Sequence, residues 1–458
     1  KERSRMFDLP RSSWDDYDKA LISKGGGVWP RSAKTIKLPK AAAQAIGLEA
    51  GEYEPDQIIT AILKAPVDLL WFGGIGTYVK AAHENNVEVG DPANDGLRID
   101  GRDIRARVIG EGANLGVTQA GRIEFALTGG RINTDFIDNS AGVDCSDNEV
   151  NIKIALAAAK RSGKLTEKAR IKLLADMTDE VAHIVLEDNR LQALALSIAE
   201  TGGARAMAAQ LHLIETLEAG GNLDRKTEGL ADSQTLQRRA ADGQGLTRPE
   251  LAILLSSSKL VLQDAIEKSP LSSDPALAAT LSDAFPAPMR TRFKAQIADH
   301  RLRREIVATK LANRMVNRLG VIHPFELAEE EGADLGQVAA AFVTVEQLFG
   351  LPDLWAALET AAMPEAARLV LFDRLAAAVG NLMSDVLRTA SGQVDPGALV
   401  SELGKGVAVL SQSTGELLSS ESRNQSQRLR QSFAVAGAPD KLAAQVAKLV
   451  GRDASALR

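Results

Sequence analysis

The sequence lacks the features that mark secreted, membrane-spanning and metal-binding proteins. It has one cysteine in 458 residues, which excludes an internal disulfide framework and fits a reducing compartment. No apolar run approaches the roughly 18 residues that a membrane-spanning helix needs, and no signal-like segment opens the chain. The five histidines are scattered without the spacing of metal ligands. We therefore expect a cytoplasmic protein with no metal site.

An excess of positive charge is missing as well. Lys and Arg total 54 against 60 for Asp and Glu, which gives a formal net charge of −6. Proteins that bind nucleic acids present a basic face. The basic stretch HRLRRE (300–305) is expected to be a solvated or salt-bridged helix face instead. We expect neither nucleic acid nor a membrane as a partner. The length is sufficient for two or three domains with cores of their own.

Short apolar runs and helical patterns alternate between residues 51 and 155, after an irregular connecting segment at 1–50. This alternation predicts an α/β fold, a partial Rossmann-like domain with a doubly wound parallel sheet. An Asp-Gly pair in LRIDGRDI (97–104) predicts a hairpin. The predicted strands are 67–71, 105–110 and 131–137, and the predicted helices are 56–65, 118–127 and one that begins at Thr77.

Residues 156–458 are expected to form a mainly α-helical domain. Apolar residues recur there at helical spacing, and Gly320 follows one such series where a helix would end. Thr247 with Glu250, and Asp274 before Pro275, predict helix starts. The two apolar series are Val307, Leu311, Met315 and Leu319, and Leu371, Leu375, Val379, Leu382 and Val386.

Three loops rich in small residues follow the predicted strands. In open α/β sheets, ligands bind at the carboxyl ends of the strands, and glycine lets the backbone approach a flat ligand closely. An asparagine side chain has the donors and the acceptor that complement a primary carboxamide, so asparagines in such loops suit the nicotinamide ring of a hydride carrier. The loops are WFGGIGT at the strand that ends at Trp71, GEGANLG after the strand that ends at Ile109 and DNSAGVDCS after the strand that ends at Ile137.

Each loop also has a plainer interpretation. Gly73, Gly74 and Gly76 form only half of a dinucleotide fingerprint, and the asparagines suit turns. Ser146 with Glu149 matches a helix capping box. Cys145 is expected to be a small packed residue because no histidine nearby would activate it. His212, which lies among leucines, is expected in the core.

Long strings of the sequence resemble the large bacterial NAD-dependent glutamate dehydrogenases, and the resemblance covers essentially the whole chain. It implies oxidative deamination of L-glutamate to 2-oxoglutarate and ammonia, with NAD as the cofactor. Residues 51–155 would be the C-terminal half of the dinucleotide-binding catalytic domain, and 156–458 the helical C-terminal domain. The strings are VDLLWFGGIGTYVKAA, VIGEGANLGVTQAGRIEFALTGGRINTDFIDNSAGVDCSDNEVNIKI and EDNRLQALALSIAE.

The resemblance also implies roles for individual residues. Asn114 would contact the nicotinamide end of the cofactor, and Asn139 would bind its carboxamide. Ser146 would bind the side-chain carboxylate of the substrate, and Val143 would form an apolar wall beside its methylenes. The cofactor crevice would further be lined by Gly73, Gly74, Gly112 and Ala113.

Other parts of the family pattern are not recognisable in this chain. They are the glycine-rich fingerprint for the pyrophosphate and the catalytic Lys and Asp, which the resemblance places upstream of Lys1. We therefore expect a C-terminal fragment that is inactive alone and contains no catalytic residue. An alternative hypothesis is a non-catalytic helical module for assembly or regulation, since amphipathic helices fit that role equally well. The protein is expected to form a homo-oligomer.

Overall fold

The computed structural model describes residues 1–390, 393–417 and 419–450. Contacts between residues divide the chain into two compact units. The first comprises residues 1–139 together with 247–249, and the second comprises residues 140–246 and the chain from 250 onward. Among the described helices, none has the length and apolar character needed to cross a membrane.

The first unit contains a small parallel sheet. Its strand order is β3-β6-β7, while β4 pairs with β5 in parallel and β1 pairs with β2 in antiparallel. The strands are β1 Ile36–Leu38, β2 Gly51–Tyr53, β3 Leu69–Phe72, β4 Val79–Lys80, β5 Ile99–Asp100, β6 Val108–Glu111 and β7 Arg131–Ile132. The helices are α1 Glu2–Phe7, α2 Lys40–Ala45, α3 Pro55–Leu63, α4 Asn86–Val89, α5 Gln119–Leu127 and α6 Asp135–Asp138.

The core of this unit lies on one side of the sheet. Phe72, Ile109 and Phe125 are buried there, together with Val79 and Ile132. Successive side chains of a strand point to opposite faces. The opposite face of β3 therefore exposes Leu69 and Trp71, with exposed fractions of 55% and 59%.

The predicted α/β class with a parallel sheet is confirmed, but three local predictions are wrong. Thr77 does not begin a helix, because β4 follows it directly. The segment 97–104 is not a hairpin: β5 pairs in parallel with β4, and a 3-10 turn at Gly101–Asp103 follows. Residues 1–50 contain α1, β1 and α2 rather than irregular structure alone.

A fourth local prediction, the strand at 131–137, is also wrong. Strand β7 ends at Ile132, and α6 begins at Asp135. The carboxylate of Asp135 accepts hydrogen bonds from the backbone N–H groups of Leu115 and Phe136. These bonds hold residue 135 in a turn, which an extended strand would not allow.

The described residues of the second unit form helices joined by short turns, so the predicted helical region is confirmed. All nine residues of the two predicted apolar series are buried. The helices are α7 Ser140–Arg161, α8 Glu167–Asp176, α9 Thr178–Glu200, α10 Met207–Ala219, α11 Ser233–Ala241, α12 Arg248–Lys268, α13 Ala278–Asp283, α14 Ala287–Arg292, α15 Lys294–Ala298, α16 Arg303–Leu319, α17 His323–Glu331, α18 Leu335–Phe349, α19 Leu351–Thr360, α20 Glu365–Thr389, α21 Pro396–Leu417, α22 Ser420–Val435 and α23 Asp440–Val450.

Helix ends occur where the sequence signals predicted them. Gly320 ends α16 with a φ of 86°, which a residue without Cβ adopts freely. Helix α12 begins directly after Thr247. Asp274 caps the 3-10 turn Pro275–Leu277 by accepting a hydrogen bond of 2.7 Å from the N–H of Ala276. The predicted domain limits at 50/51 and 155/156 stay a prediction, and the division between the units falls at the start of α7.

Candidate functional site

Three loops leave the parallel sheet at the carboxyl ends of its strands. Strands β3 and β6 are in register, with Leu69 opposite Val108 and Phe72 opposite Glu111. Gly73 and Gly112 therefore leave the sheet at the same edge. Strand β7, on the other side of β6, ends earlier, at Ile132 opposite Ile109. Two of the predicted site loops are neighbours as expected. The third predicted loop does not follow a strand that ends at Ile137, because β7 ends at Ile132.

Trp71 explains the glycines of β6 and of the loop that follows it. A Cβ on Gly110 or Gly112 would lie 2.6 or 2.4 Å from atoms of the indole ring of Trp71, a distance that real Cβ atoms do not show. The ring thus lies against the backbone of the neighbouring strand. Gly74, in contrast, faces open space, with no atom within 4 Å of a built Cβ. Gly73 and Ala113 flank the same edge of the sheet.

A buried ionic cluster joins the loop after β6 to α6. Arg122 Nε lies 2.7 Å from Glu111 Oε2, and Arg122 Nη2 lies 3.1 Å from Asp135 Oδ1. The Glu111 side chain is 0% exposed and that of Arg122 is 3% exposed. Burial raises the pKa of Glu111, while the guanidinium of Arg122 opposes that rise. None of these three residues was predicted from the sequence to belong to the site.

The same carboxylates hold the backbone of the loop. Glu111 Oε1 accepts from the N–H of Val117 at 3.1 Å, and Asp135 Oδ2 accepts from the N–H of Leu115 at 2.8 Å. Leu115 has a φ of 58°, which is unfavourable for a residue with a branched side chain and must be imposed by its surroundings. Asp138 Oδ2 accepts from the N–H of Glu111 at 2.9 Å. The loop between Glu111 and Val117 is therefore fixed from both ends.

Asn114 and Asn139 are brought together by this arrangement. Asn139 Nδ2 donates to Asn114 Oδ1 at 3.2 Å. The remaining amide groups, Asn114 Nδ2 and Asn139 Oδ1, have no hydrogen-bond partner within the described ranges of the chain. The pair thus presents a free donor and a free acceptor, which is the set that a primary carboxamide requires.

Val143 and Ser146 belong to the second unit, on α7. Helix α7 begins at Ser140, so Ser146 lies inside it and the predicted capping box at Ser146 is wrong. Val143 is 67% exposed, and Ser146 is exposed as well. Cys145 is exposed rather than packed, which contradicts the prediction for that residue. These side chains are accessible from solvent on the first two turns of the helix.

The other face of α7 is fixed by polar contacts with α9. Asn189 Nδ2 donates to Ser140 Oγ at 2.8 Å. One turn along, burial raises the pKa of Asp144 to about 6, the positive charge of Lys310 opposes that rise, and the like charge of Asp188 adds to it. Lys310 Nζ lies 2.7 Å from Asp188 Oδ2. Asp188 and Asn189, from the string EDNR (187–190), therefore orient the helix that carries Val143 and Ser146.

His212 is not a core residue. It is exposed, and its Nε2 lies 2.7 Å from Glu329 Oε2. The hydrogen bond to Glu329 raises the pKa of His212. The leucines around it in sequence, such as Leu211 and Leu213, are buried on the other faces of α10. In the part of the chain that the structure describes, no group of three or more His, Cys, Asp or Glu could hold a metal ion.

Two family models match the chain. Residues 1–199 match the model for the bacterial NAD-glutamate dehydrogenase catalytic domain, and residues 243–455 match the model for the C-terminal region of glutamate dehydrogenase. The catalytic-domain match contains both asparagines and the exposed face of α7.

Curated relatives agree with these matches over nearly the whole chain. The NAD-specific glutamate dehydrogenase of Pseudomonas aeruginosa is 44% identical over 448 residues, which is 97% of this chain and 28% of that protein. The NAD-specific glutamate dehydrogenases of Halomonas elongata and Mycobacterium tuberculosis are 42% and 40% identical, with the same coverage. The chain thus spans 28% of the length of these relatives.

Proposed function

Because the chain belongs to the family of bacterial NAD-specific glutamate dehydrogenases, we propose that it forms part of an enzyme that oxidatively deaminates L-glutamate. The products are 2-oxoglutarate and ammonia, and NAD accepts the hydride. The catalytic Lys and Asp of this reaction belong to parts of the enzyme outside this chain. None of the lysines described here is assigned to catalysis.

The observation that carries the proposal is the asparagine pair. The nicotinamide carboxamide has one acceptor and two donors. Its oxygen accepts from Asn114 Nδ2 and its nitrogen donates to Asn139 Oδ1, the two amide groups that their mutual hydrogen bond leaves unused. Held at two points, the ring presents one face to the substrate, and orientation of this kind accounts for much of the catalysis of hydride transfer.

Residues of α7 supply one side of the substrate pocket in this proposal. Ser146 donates its hydroxyl hydrogen to the side-chain carboxylate of glutamate, and Val143 contacts the methylenes. Both side chains are exposed on α7, as ligand contacts require. The glycines at 73, 74 and 112, with Ala113, leave room for the dinucleotide at the sheet edge, although Trp71 already accounts for Gly112.

A cytoplasmic location and assembly into homo-oligomers belong to the same proposal. The single cysteine is exposed and unpaired with another, which suits a reducing compartment. Exposed apolar side chains on the helical unit, such as Val409 and Val435, suit contacts with further copies. A purely non-catalytic assembly module is the alternative, and it predicts that the two asparagines have no effect on cofactor affinity.

The test is glutamate-dependent NAD reduction by the full-length enzyme with Asn114→Ala and Asn139→Ala. Each variant loses one hydrogen bond to the carboxamide, worth about 1 kcal/mol or roughly fivefold in affinity, so KM for NAD is expected to rise several-fold. KM for glutamate should change less.

Asn424→Ala is a matched control, because Asn424 is exposed on α22 of the other unit. Absence of NAD reduction with glutamate contradicts the assigned reaction. An unchanged KM for NAD in both variants contradicts the role of the asparagine pair.

A further inference from the structure

A cavity of about 390 Å³ lies within the helical unit and shares no residue with the site described above. The loop and 3-10 turns at 272–277, helices α13 to α15 and the first turns of α16 surround it. Its floor is apolar, because four buried aliphatic side chains line it. These are Leu277, Leu281, Ile297 and Val307.

The rim of the cavity is positively charged. Arg290, Lys294 and Arg303 line it against one carboxylate, Asp274. The carboxylate of Asp274 already has a hydrogen-bond partner, since it accepts from the N–H of Ala276 at 2.7 Å. Arg290 is occupied as well, with Nη1 3.1 Å from Asp283 Oδ1 and Nε donating to the carbonyl of Phe285 at 2.8 Å.

The other two cations are free. Within the described residues, the side chains of Lys294 and Arg303 make no hydrogen bond or ion pair. Two unneutralised cations on the rim of one cavity create a positive potential that a low-dielectric floor strengthens. Such a site attracts an anion and disfavours a cation.

The turn that carries Arg303 is rigidly placed. His300 is buried, its Nδ1 accepts from the N–H of Leu302 at 3.1 Å, and its Nε2 donates to the carbonyl of Asn151 at 3.1 Å. Arg304 Nε donates to the hydroxyl of Ser272, another lining residue, at 3.0 Å. The basic stretch 300–305 therefore has defined roles within the fold.

From this geometry we propose that the cavity binds a small organic anion, with its apolar body on the aliphatic floor and its acid group between Lys294 and Arg303. The volume suits a compact ligand and is too small for a polymer. Carboxylates and phosphates of metabolite size have the required chemistry, since both pair with Arg and Lys.

The experiment compares two fluorescent probes that differ in charge. The anionic probe is 8-anilinonaphthalene-1-sulfonate, and the neutral probe is N-phenyl-1-naphthylamine, which has the same aromatic body without the sulfonate. Both are titrated against the whole chain by fluorescence. We expect the anionic probe to bind saturably at one site with at least tenfold higher affinity, and that advantage to shrink as salt is added.

Two variants test the location. Lys294→Glu/Arg303→Glu is expected to lower the affinity for the anionic probe at least tenfold and to leave the affinity for the neutral probe unchanged. Ala278→Trp fills the cavity from an exposed lining position, keeps every charge and is expected to weaken both probes. Circular dichroism confirms that each variant is folded.

Lys168→Glu/Lys172→Glu is the matched control, because it makes the same charge change at exposed positions of α8. Equal affinity for the two probes overturns the proposal. Undiminished affinity of Lys294→Glu/Arg303→Glu for the anionic probe also overturns it. The same holds if the control variant loses as much affinity for that probe as Lys294→Glu/Arg303→Glu does, or if the wild-type chain does not bind the probe.

Discussion

Arg122 lies buried between two carboxylates, one at the end of β6 and the other at the start of α6. It contacts Glu111 through two nitrogens and Asp135 through one. Removing one partner of a buried ion pair leaves an uncompensated charge, which costs about 3–5 kcal/mol. The cluster fixes the backbone at Leu115 and Val117, and thereby the position of Asn114, which directly precedes Leu115.

We predict that Arg122→Met lowers the free energy of unfolding of the first unit by about 3–5 kcal/mol. Urea unfolding followed by Trp fluorescence measures this, since Trp71 lies in that unit. Adding Glu111→Gln to Arg122→Met should recover part of the loss, because the second change removes the unpaired charge.

Arg107→Met provides a comparison, since Arg107 lies in the same unit and pairs with Asp68 at the surface, where both side chains are largely exposed. A change below about 0.5 kcal/mol in Arg122→Met, the range of ordinary surface substitutions, would show that the cluster does not stabilise the unit.

The sequence pointed to Asn114 and Asn139 but not to the residues that hold them. Resemblance identifies residues that recur in short motifs, and both asparagines lie in such motifs. Glu111, Arg122 and Asp135 act through side-chain contacts across 11 and 13 positions, which no spacing rule predicts. A charged residue at the end of an apolar strand, as in VIGE, was the available signal for Glu111.

At the scale of elements, helix α7 has one face packed within the helical unit and another face exposed. Ser140, Asp144 and Asn148 recur every four residues and face the helical unit, while Val143 and Ser146 are exposed. The hydrogen bond from Asn189 to Ser140 fixes the first turn. The small residues of DNSAGVDCS predicted a loop here. Ser and Gly are unfavourable in a helix, but the packing against α9 overrides that preference.

We predict that Asn189→Ala loosens this first turn. The lost hydrogen bond costs about 1 kcal/mol, and amide hydrogen exchange at residues 140–146 should accelerate roughly fivefold. In the full-length enzyme KM for glutamate should rise while KM for NAD stays the same. Gln192→Ala, on the same helix, is the control, and equal exchange rates in the two variants contradict the role of Asn189.

His300 makes the stability of the helical unit depend on pH. Burial lowers the pKa of His300 in the folded chain, and its Nδ1 accepts a backbone hydrogen bond that a proton would abolish. The unfolded chain therefore takes up the proton first, near the ordinary value of about 6.5. The stability that neutral His300 contributes is therefore present above that pH and is lost as the pH falls below it.

We predict that the wild-type chain loses up to about 1.4 kcal/mol per pH unit below that point through this one proton. Urea unfolding at pH 7.5 and 5.5, monitored by far-ultraviolet circular dichroism, measures this loss of stability. His300→Gln should be less stable at pH 7.5 but should show a smaller loss on acidification. His183→Gln, at an exposed position of α9, should behave as the wild type; if His300→Gln retains the full acid loss, His300 is not its source.

At the scale of the whole molecule, sequence periodicity predicted the helices of the second unit well. For the first unit it predicted the α/β class but not the limits of the individual strands. Long apolar stripes are repeated over several turns, so Val307 to Leu319 and Leu371 to Val386 were identified correctly as buried faces. The strands of the first unit have two to four residues, too few for alternation to distinguish them from short helices. Strand β7 shows the consequence, because its two residues precede α6 without a sequence break.

The division into two units predicts which part of the chain folds alone. The first unit includes residues 247–249, where Gln119 Nε2 donates to the carbonyl of Pro249 and Arg248 Nε donates to Asn133. A polypeptide of residues 1–139 lacks both contacts. A polypeptide of residues 140–458 contains every element from α7 to α23, with their cores and ion pairs.

We predict that residues 140–458 alone give a helical circular dichroism spectrum and a single cooperative urea transition, whereas residues 1–139 alone are less stable than in the whole chain. The helical polypeptide should bind 8-anilinonaphthalene-1-sulfonate as the whole chain does, because Lys294, Arg303 and the cavity floor are all present. It should not bind NADH, because Asn114 and Asn139 are absent. NADH binding by the helical polypeptide would contradict the placement of the nicotinamide at the sheet edge, and this separates the cofactor assignment from the anion site.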